Sequence, residues 1–179
     1  MTVPPMTKPR SIRFYYMIGT RRGKKLDLHY LHKFIKWLYD TRIDDPRLLL
    51  VERKGMIPIF IDDLKEKKDG YYGEVGYIRT EAVPKVIDMI SLKTIPPPTL
   101  GENREFFDST HFYLSFVNNI PVFTYEYTRF APTPLIFAEK YLTSLFRKWN
   151  DLELNGKFGK TPRILLRTIY RVRGLEFLK

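Results

Sequence analysis

Two neighbouring segments in the second half of the chain alternate between apolar and more polar residues, and they limit the possible folds more than any other feature. The segments are residues 110–117 and 122–129, and both are rich in aromatic and β-branched side chains. Alternation with a period of two is typical of half-buried strands. Residues 118–121 (Asn-Asn-Ile-Pro) form the intervening turn, which is too short for a crossover connection. The pattern therefore predicts an antiparallel β-hairpin.

The same alternation assigns the two faces of the first hairpin strand. We expect the apolar face to pack in the core and the other face to meet solvent, as a half-buried strand requires. A buried His111 would need a hydrogen-bond partner, and Glu126 on the adjacent strand could supply one. The expected core residues are Phe112, Leu114 and Phe116, and the expected surface residues are His111, Tyr113 and Ser115.

Two amphipathic segments predict the principal helices. Asp27 is placed to cap a helix whose apolar residues recur at helical spacing over residues 28–38, and this helix should end near residues 40–42. Thr133 before Pro134 is a favourable start for a second helix. Its apolar stripe continues to about Asn150.

Shorter segments complete the predicted order of elements. Most neighbouring strands are separated by turns too short for a crossover, which indicates an α+β fold with a mainly antiparallel sheet and two principal helices packed on it. We expect residues 1–179 to form a single α+β domain; the chain end at residues 174–179 resembles the first turn of a further helix, so the alternative is an N-terminal domain of a longer protein. Further predicted strands are residues 11–18, 48–53, 56–61, 72–79 and 163–173, with a polar turn at 65–70, a short helix at 86–92 and an extended segment at 94–101.

The charge of the chain is concentrated at its two ends. The formal net charge is +11 and the sequence pI is about 9.7. Residues 1–26 carry seven basic and no acidic residues, and residues 147–179 carry nine basic and three acidic residues. Such a basic excess predicts a polyanionic partner, nucleic acid before an acidic membrane surface. The alternatives are a basic surface without a ligand and an acidic protein partner.

Two basic segments are the candidate contacts. On the last predicted strand, alternation places four arginines on one face, where they could follow a phosphate backbone. In the first basic loop, glycines allow backbone N–H groups to approach phosphates. Solvated arginines that cover apolar neighbours are the alternative for the strand, and a solvated loop is the alternative for the second segment. The candidate nucleic-acid-binding residues are Arg163, Arg167, Arg171 and Arg173 on the strand, and Arg21, Arg22, Lys24 and Lys25 in the loop.

Catalytic and cofactor signals are weak in this sequence. The chain contains no Cys, which excludes disulfides, thiolate metal sites and a Cys nucleophile. Glu52 and Lys54 at the end of a predicted strand resemble the carboxylate and lysine of metal-dependent nucleases, although a solvated strand edge is the better interpretation. His29 and His32 have metal-compatible spacing but no carboxylate neighbour on their helix, which favours surface histidines. We therefore expect no catalytic residue, no metal site and no cofactor.

The compartment of the protein and its relation to membranes are predicted from sequence features that the chain lacks. A chain without Cys fits a reducing cytoplasm. The longest apolar runs are far short of the ~20 residues that a membrane-spanning helix needs, and the N-terminus has no apolar signal region. The sequence predicts a cytoplasmic protein that does not bind membranes.

Part of the chain, over about residues 70–145, resembles a known family. Residues 108–113 (Asp-Ser-Thr-His-Phe-Tyr), residues 123–132 (Phe-Thr-Tyr-Glu-Tyr-Thr-Arg-Phe-Ala-Pro) and Tyr141-Leu142 are similar to a Thr-His-Phe … Glu-Tyr-Asn-x-x-Gly-Pro … Tyr-Leu pattern. The pattern belongs to lambda RexA-like phage-exclusion proteins and their relatives in bacterial antiviral defence. Residues 77–84 also resemble the Arg-x-x-x-(x)-Pro segment of that family.

This resemblance implies sequence-nonspecific DNA binding by a dimer that senses or blocks phage. Thr128 and Ala131 stand where the family pattern has Asn and Gly. Together with the charge pattern, the resemblance predicts a nucleic-acid-binding protein of phage exclusion or antiviral defence, with duplex DNA as the expected ligand and a homodimer or larger defence complex as the expected assembly. The alternatives are a metal-dependent nuclease and a protein-interaction subunit of a larger complex.

Overall fold

Strands and helices alternate irregularly along the chain. A computed structural model describes residues 11–52, 58–78, 86–87, 94–95, 107–127, 133 and 136–169. The strands are β1 (Ser11–Arg21), β2 (Lys24–Lys25), β3 (Ile59–Lys67), β4 (Gly70–Ile78), β5 (Val86–Ile87), β6 (Thr94–Ile95), β7 (Phe107–Val117), β8 (Ile120–Tyr127) and β9 (Pro162–Thr168). The helices are α1 (Leu28–Asp44), a 3₁₀ helix (Pro46–Leu49), a π-helix (Ile136–Leu142) and α2 (Thr143–Glu153).

Seven strands form one antiparallel sheet. The long strands follow the order β9-β1-β8-β7-β4-β3, and the short β2 folds back on the end of β1. Tyr16 pairs with Val122 on one side and with Arg167 on the other, so β8 and β9 flank β1. Strands β5 and β6 pair separately as a two-stranded ribbon. The expected α+β class with a mainly antiparallel sheet and two helices is confirmed.

Both principal helices cover the same face of the sheet, which is called here the inner face. The Asp27 side chain accepts a hydrogen bond from the His29 backbone N–H at 2.9 Å, so the predicted cap of α1 is present. Burying each large apolar side chain of such a core stabilises the fold by about 1.5–3 kcal/mol. No helix in the described parts of the chain is both long and apolar enough to cross a membrane. The fully buried side chains include Phe34 and Ile35 of α1, Leu145 and Phe146 of α2, and Phe123 and Tyr125 of β8.

The β7–β8 hairpin forms with a tighter turn than the sequence predicts. Asn118 and Asn119 both have positive φ angles, 50° and 62°, which is typical of a two-residue turn whose twist matches the flanking strands. Phe112 and Leu114 are buried in the core as predicted. Phe116 is half-buried and its ring stacks on that of His32 of α1, with centroids 3.8 Å apart.

The prediction of a strand over residues 48–53 is wrong. Residues 46–49 form a 3₁₀ helix, in which the Asp45 side chain accepts a hydrogen bond from the Arg47 N–H at 3.2 Å and Leu49 is buried. The hydroxyl of Tyr141 donates to the Leu49 carbonyl at 2.8 Å. These tertiary contacts override the apolar run, and Val51 makes only an isolated bridge to Ile59.

Other predicted boundaries also shift. The polar segment 65–70 is mostly strand, because β3 continues to Lys67 and pairs across a turn of two residues with Gly70. Residues 86–87 belong to a β-ribbon instead of a helix, and residues 88–92 of that prediction lie outside the described residues. The second helix begins as a π-helix over residues 136–142 and continues as α2 to Glu153, with Ala138, Leu142, Leu145 and Trp149 buried as expected.

Candidate nucleic-acid interface

The sheet face opposite to the helices, called here the outer face, is organised in rows that run across the strands. Residues directly opposite each other on neighbouring strands share a face. Along β1, the outward positions are Ile12, Phe14, Tyr16, Ile18 and Thr20, because Tyr15 and Met17 are buried in the core. Each of these positions therefore defines one row of the outer face.

The last of these rows brings together two segments that are far apart in sequence. Thr20 pairs with Lys25 of β2 on one side and with Arg163 of β9 on the other. Neighbouring strands lie about 4.8 Å apart, so the backbones of Lys25 and Arg163 are separated by about 10 Å. Arg167 of β9 is the direct cross-strand neighbour of Tyr16 and therefore lies in the row of Tyr16. The two candidate segments thus form one surface at the β9 side of the sheet.

The basic hairpin is tighter than the open loop that the sequence predicts. Arg22 and Gly23 have φ angles of 48° and 79° and form a two-residue turn between β1 and β2. Five of the predicted cations are exposed, but Lys24 pairs directly with Arg21 and so lies on the inner face. The other four are called here the basic patch: Arg22, Lys25, Arg163 and Arg167.

The remaining predicted residues do not belong to this surface. Arg21 lies on the inner face, where its guanidinium packs over the Phe158 ring at 5.9 Å from the centroid. Its Nε atom is buried and is the single side-chain nitrogen or oxygen in the described residues that is buried without a hydrogen-bond partner. Arg171 and Arg173 lie outside the residues that the structure describes.

Two further basic residues border the patch and were not predicted. A cleft of about 170 Å³ lies between β9 and the second helical segment, and Lys140, Arg147 and Arg163 line it together with Glu139 and the hydroxyl residues Thr143 and Ser144. The Arg147 Nε donates a hydrogen bond to the Pro162 carbonyl at 3.2 Å, which holds this side chain beside β9. Lys140 and Arg147 are seven residues apart, a spacing that places both on one helix face. This spacing was the sequence signal that could have identified them.

Aromatic side chains occupy the middle of the outer face. Phe14 and Tyr16 are 52% and 39% exposed, respectively. In the row of Phe14, Thr124 of β8 is followed by the half-buried Tyr113 of β7 and Tyr72 of β4. The alternation in β1 predicts two faces correctly, but both faces contain aromatic residues. Sequence analysis therefore missed that Phe14 and Tyr16 are the exposed ones.

An acidic row crosses the outer face at the level of Ile12. The His111 Nδ1 lies 2.6 Å from the Glu126 Oε2, and the His111 Nε2 lies 3.9 Å from the Glu74 Oε2. The Ser109 hydroxyl donates a hydrogen bond to Glu74, which in turn pairs across strands with Asp63. The His111 side chain is 36% exposed, which agrees with the predicted surface position. It nevertheless pairs with Glu126, the partner that was expected only for a buried histidine. This cluster, called here the acidic row, comprises Asp63, Glu74, His111 and Glu126.

The environment of the acidic row shifts several pKa values. The Lys65 ammonium binds Asp63 and holds the pKa of that carboxyl below its usual range. Burial, with a contribution from Glu74, raises the pKa of the neighbouring Asp62. Burial also raises the pKa of the Tyr72 phenol, whose ring stacks on His111 with centroids 5.7 Å apart. The row is therefore a half-buried, negatively charged strip at the opposite end of the outer face from Thr20.

The described residues contain no candidate metal site. Across residues 11–52, 58–78, 107–127 and 136–169, no three His, Asp or Glu side chains are positioned to hold a metal ion. Glu52 is exposed, and Lys54 of the nuclease hypothesis lies outside the described residues. His29 and His32 are exposed on α1, in agreement with the prediction of surface histidines.

Comparison with known proteins gives no relative for this chain. No protein-family model matches it, and no curated protein or solved structure does so either.

Proposed function

We propose that this protein binds nucleic acid without sequence preference, through the basic patch. The observation that carries the proposal is the register of three strands, in which Arg163 and Lys25 flank Thr20 in one row and Arg167 follows on the same face, four residues further along β9. Arginine and lysine contacts with phosphates are the same for every base sequence, so a surface built from them binds without sequence preference.

The net charge and the cleft beside β9 support the same proposal. The excess of basic residues lies at both ends of the sequence, and among the described residues the pairing of β9 with β1 brings Arg163 and Arg167 to the same side of the sheet as Lys25. Lys140 and Arg147 extend this surface along the helix next to β9. A positively charged surface of this kind attracts a polyanion and accelerates its association.

The test is a salt series of binding measurements on duplex and single-stranded oligonucleotides of unrelated sequences. The double variant Arg163→Ala/Arg167→Ala should weaken binding to all sequences alike. It should also reduce the slope of log K against log salt by roughly 1.4–1.8, because each lost phosphate contact contributes about 0.7 on single strands and about 0.9 on duplex DNA.

A matched control distinguishes the effect of the basic patch on binding from the effect of the overall net charge. Lys33 of α1 and Lys68 of the β3–β4 turn are both exposed and lie away from the patch. The variant Lys33→Ala/Lys68→Ala changes the net charge equally and should leave the slope nearly unchanged. If the folded Arg163→Ala/Arg167→Ala variant keeps the wild-type slope, the patch is not the binding surface.

The biological setting that we propose is phage exclusion or antiviral defence, and it rests on the resemblance over about residues 70–145 alone. Bacteria that express the chain should form fewer plaques than control bacteria when they are challenged with a panel of phages. Bacteria that express Arg163→Ala/Arg167→Ala should lose this protection. Equal plaque counts with and without the wild-type chain, for every phage, would refute the defence role and leave the binding proposal standing.

A further inference from the structure

We infer that the basic patch takes single-stranded nucleic acid, whose unpaired bases stack on Phe14 and Tyr16 of the outer face. The inference rests on the proposed function and adds the form of the ligand. Duplex DNA and a protein partner are the other possible occupants, and the experiment below distinguishes them.

The first support is the concentration of exposed apolar side chains on this face. Eight large apolar side chains are exposed in the described part of the chain, and five of them are on β1 or at the β7–β8 turn. An exposed apolar residue that stands alone is ordinary, but a contiguous group on one face marks an interaction surface. The five residues are Ile12, Phe14, Tyr16, Val117 and Ile120.

The second support is the charge next to these aromatic rings. Arg167 is the direct cross-strand neighbour of Tyr16, and Arg163 and Lys25 lie in the row of Thr20, four residues further along β1. A ligand that covers this region must offer flat apolar groups and negative charges at separations of about 5–14 Å. A single strand offers both, whereas the bases of a duplex are stacked on one another and only its backbone is accessible.

The third support is the spacing along β1. Phe14 and Tyr16 are two residues apart, which separates their side chains by about 6.6–6.8 Å. This is about twice the 3.4 Å between successive stacked bases of a nucleic-acid strand. Bases on both rings would therefore belong to an extended strand, as in proteins that bind single strands on aromatic platforms.

The acidic row limits where the ligand can lie. Glu126 pairs with Ile12 of β1, one row beyond Phe14, and the Glu74 carboxylate follows on β4. These carboxylates repel phosphates, so the bound nucleic acid is confined between the rows of Phe14 and Thr20. Phe14, Tyr16 with its neighbour Arg167, and Lys25 with Arg163 in the row of Thr20 all lie within that interval.

The experiment measures fluorescence anisotropy with three labelled probes across the same series of salt concentrations: oligo(dT) and oligo(U) of fifteen nucleotides and a duplex of fifteen base pairs. The wild-type protein should bind at least one of the single strands about tenfold or more tightly than it binds the duplex. Each stacked base contributes roughly 5- to 150-fold to affinity. The variant Phe14→Ala/Tyr16→Ala should therefore lose at least tenfold in single-strand affinity, with an unchanged salt slope because no phosphate contact is removed.

Two further variants make the result specific. Ile43 of α1 and Leu152 of α2 are 64% and 55% exposed on the helical side of the molecule. The variant Ile43→Ala/Leu152→Ala removes a comparable exposed apolar area and should bind like the wild type. The variant Tyr16→Phe keeps the ring and should retain affinity within a few-fold, whereas a hydrogen-bonding role of the hydroxyl would make it as weak as Tyr16→Ala.

The outcomes separate this inference from the proposed function. If duplex and single strands bind equally and Phe14→Ala/Tyr16→Ala loses nothing, the stacking inference is wrong but the basic patch still stands as a binding surface. The inference is also overturned if Ile43→Ala/Leu152→Ala weakens binding as much as the aromatic variant does. If none of the three probes binds at low salt, the proposed function itself is wrong.

Discussion

Buried hydroxyl and amide groups of the second helical segment hold distant pieces of the chain in place. Thr143 Oγ1 accepts a hydrogen bond from the Ile164 N–H at 2.9 Å, on the edge of β9 that faces away from β1. Asn150 Oδ1 accepts from the Phe158 N–H at 2.9 Å. Both contacts satisfy backbone groups that would otherwise be buried without a partner, which is costly. Thr143 therefore helps to hold the free edge of β9, and Asn150 holds the segment that precedes this strand.

At the residue scale, Thr143→Val should lower the free energy of unfolding by about 1–3 kcal/mol, because the nearly isosteric side chain leaves the Ile164 N–H buried without an acceptor. Urea denaturation at pH 7 measures the change. Ser144→Ala is the matched control, since the Ser144 hydroxyl only bonds the Lys140 carbonyl within the helix at an exposed position, and it should cost under ~0.5 kcal/mol. Equal losses in the two variants would contradict this role of Thr143.

At the scale of elements, the β7–β8 hairpin shows how a strand is built for two environments. Phe112 is 4% exposed and its ring lies over Gly73 of β4, where an added Cβ would stand 2.2 Å from the ring. Gly73 thus provides the space that Phe112 occupies. On the outer face of the same strand, Ser115 is only half-buried. The two faces of β7 should therefore respond very differently to truncation.

Phe112→Ala should lower the free energy of unfolding by ~3–5 kcal/mol through the cavity that it leaves, and Ser115→Ala should cost under ~0.5 kcal/mol. Phe116→Ala should fall between these values, because its ring is half-buried against His32. Guanidinium denaturation measures the free energy of unfolding of the three variants and shows the order of their losses in stability. A loss for Ser115→Ala as large as that for Phe112→Ala would mean that the inner and outer faces are assigned the wrong way round, and the basic patch with them.

At the scale of the whole molecule, the sheet separates a core rich in tyrosine from a charged outer face. Tyr141 and Tyr125 are fully buried on the inner side, and burial raises the pKa of both phenols well above the usual value. In the unfolded chain a tyrosine ionises near pH 10. Above that pH the unfolded state releases protons that the folded state retains, so unfolding becomes more favourable as the pH rises.

The free energy of unfolding should therefore be insensitive to these two groups below about pH 10 and should fall above it by ~1.4 kcal/mol per pH unit for each tyrosine. Tyr141→Phe should remove one of these contributions, so its stability should decline less steeply with pH than that of the wild type. Urea denaturation between pH 8 and pH 11.5 gives both curves. Parallel curves above pH 10 would show that Tyr141 ionises normally in the folded protein.

Local patterns determined the elements whose signals are local. The Asp27 cap, the apolar stripes of the two helices and the alternation in β7 and β8 all depend on neighbours within a few residues, and each is found in the structure. The α+β class followed from the same patterns, because short turns between strands enforce antiparallel pairing.

Tertiary structure decided which side of each pattern became the interior. In β1, Phe14 and Tyr16 on one face and Tyr15 and Met17 on the other are similarly apolar, so alternation defines two faces without naming the buried one. Residues 48–49 are an apolar run that sequence alone assigns to a strand, but Tyr141 and Lys148 bind their carbonyl groups and hold a 3₁₀ helix.

The candidate site also depends on long-range pairing. Arg163 and Lys25 are separated by more than a hundred residues in sequence, and only the pairing of β9 and β2 with the same part of β1 makes them neighbours. The sequence by itself determined that the chain is basic at both ends and that its last strand presents arginines on one face. The packing of both helices on the opposite side of the sheet left that face exposed, because a sheet face stays accessible only where no other element covers it.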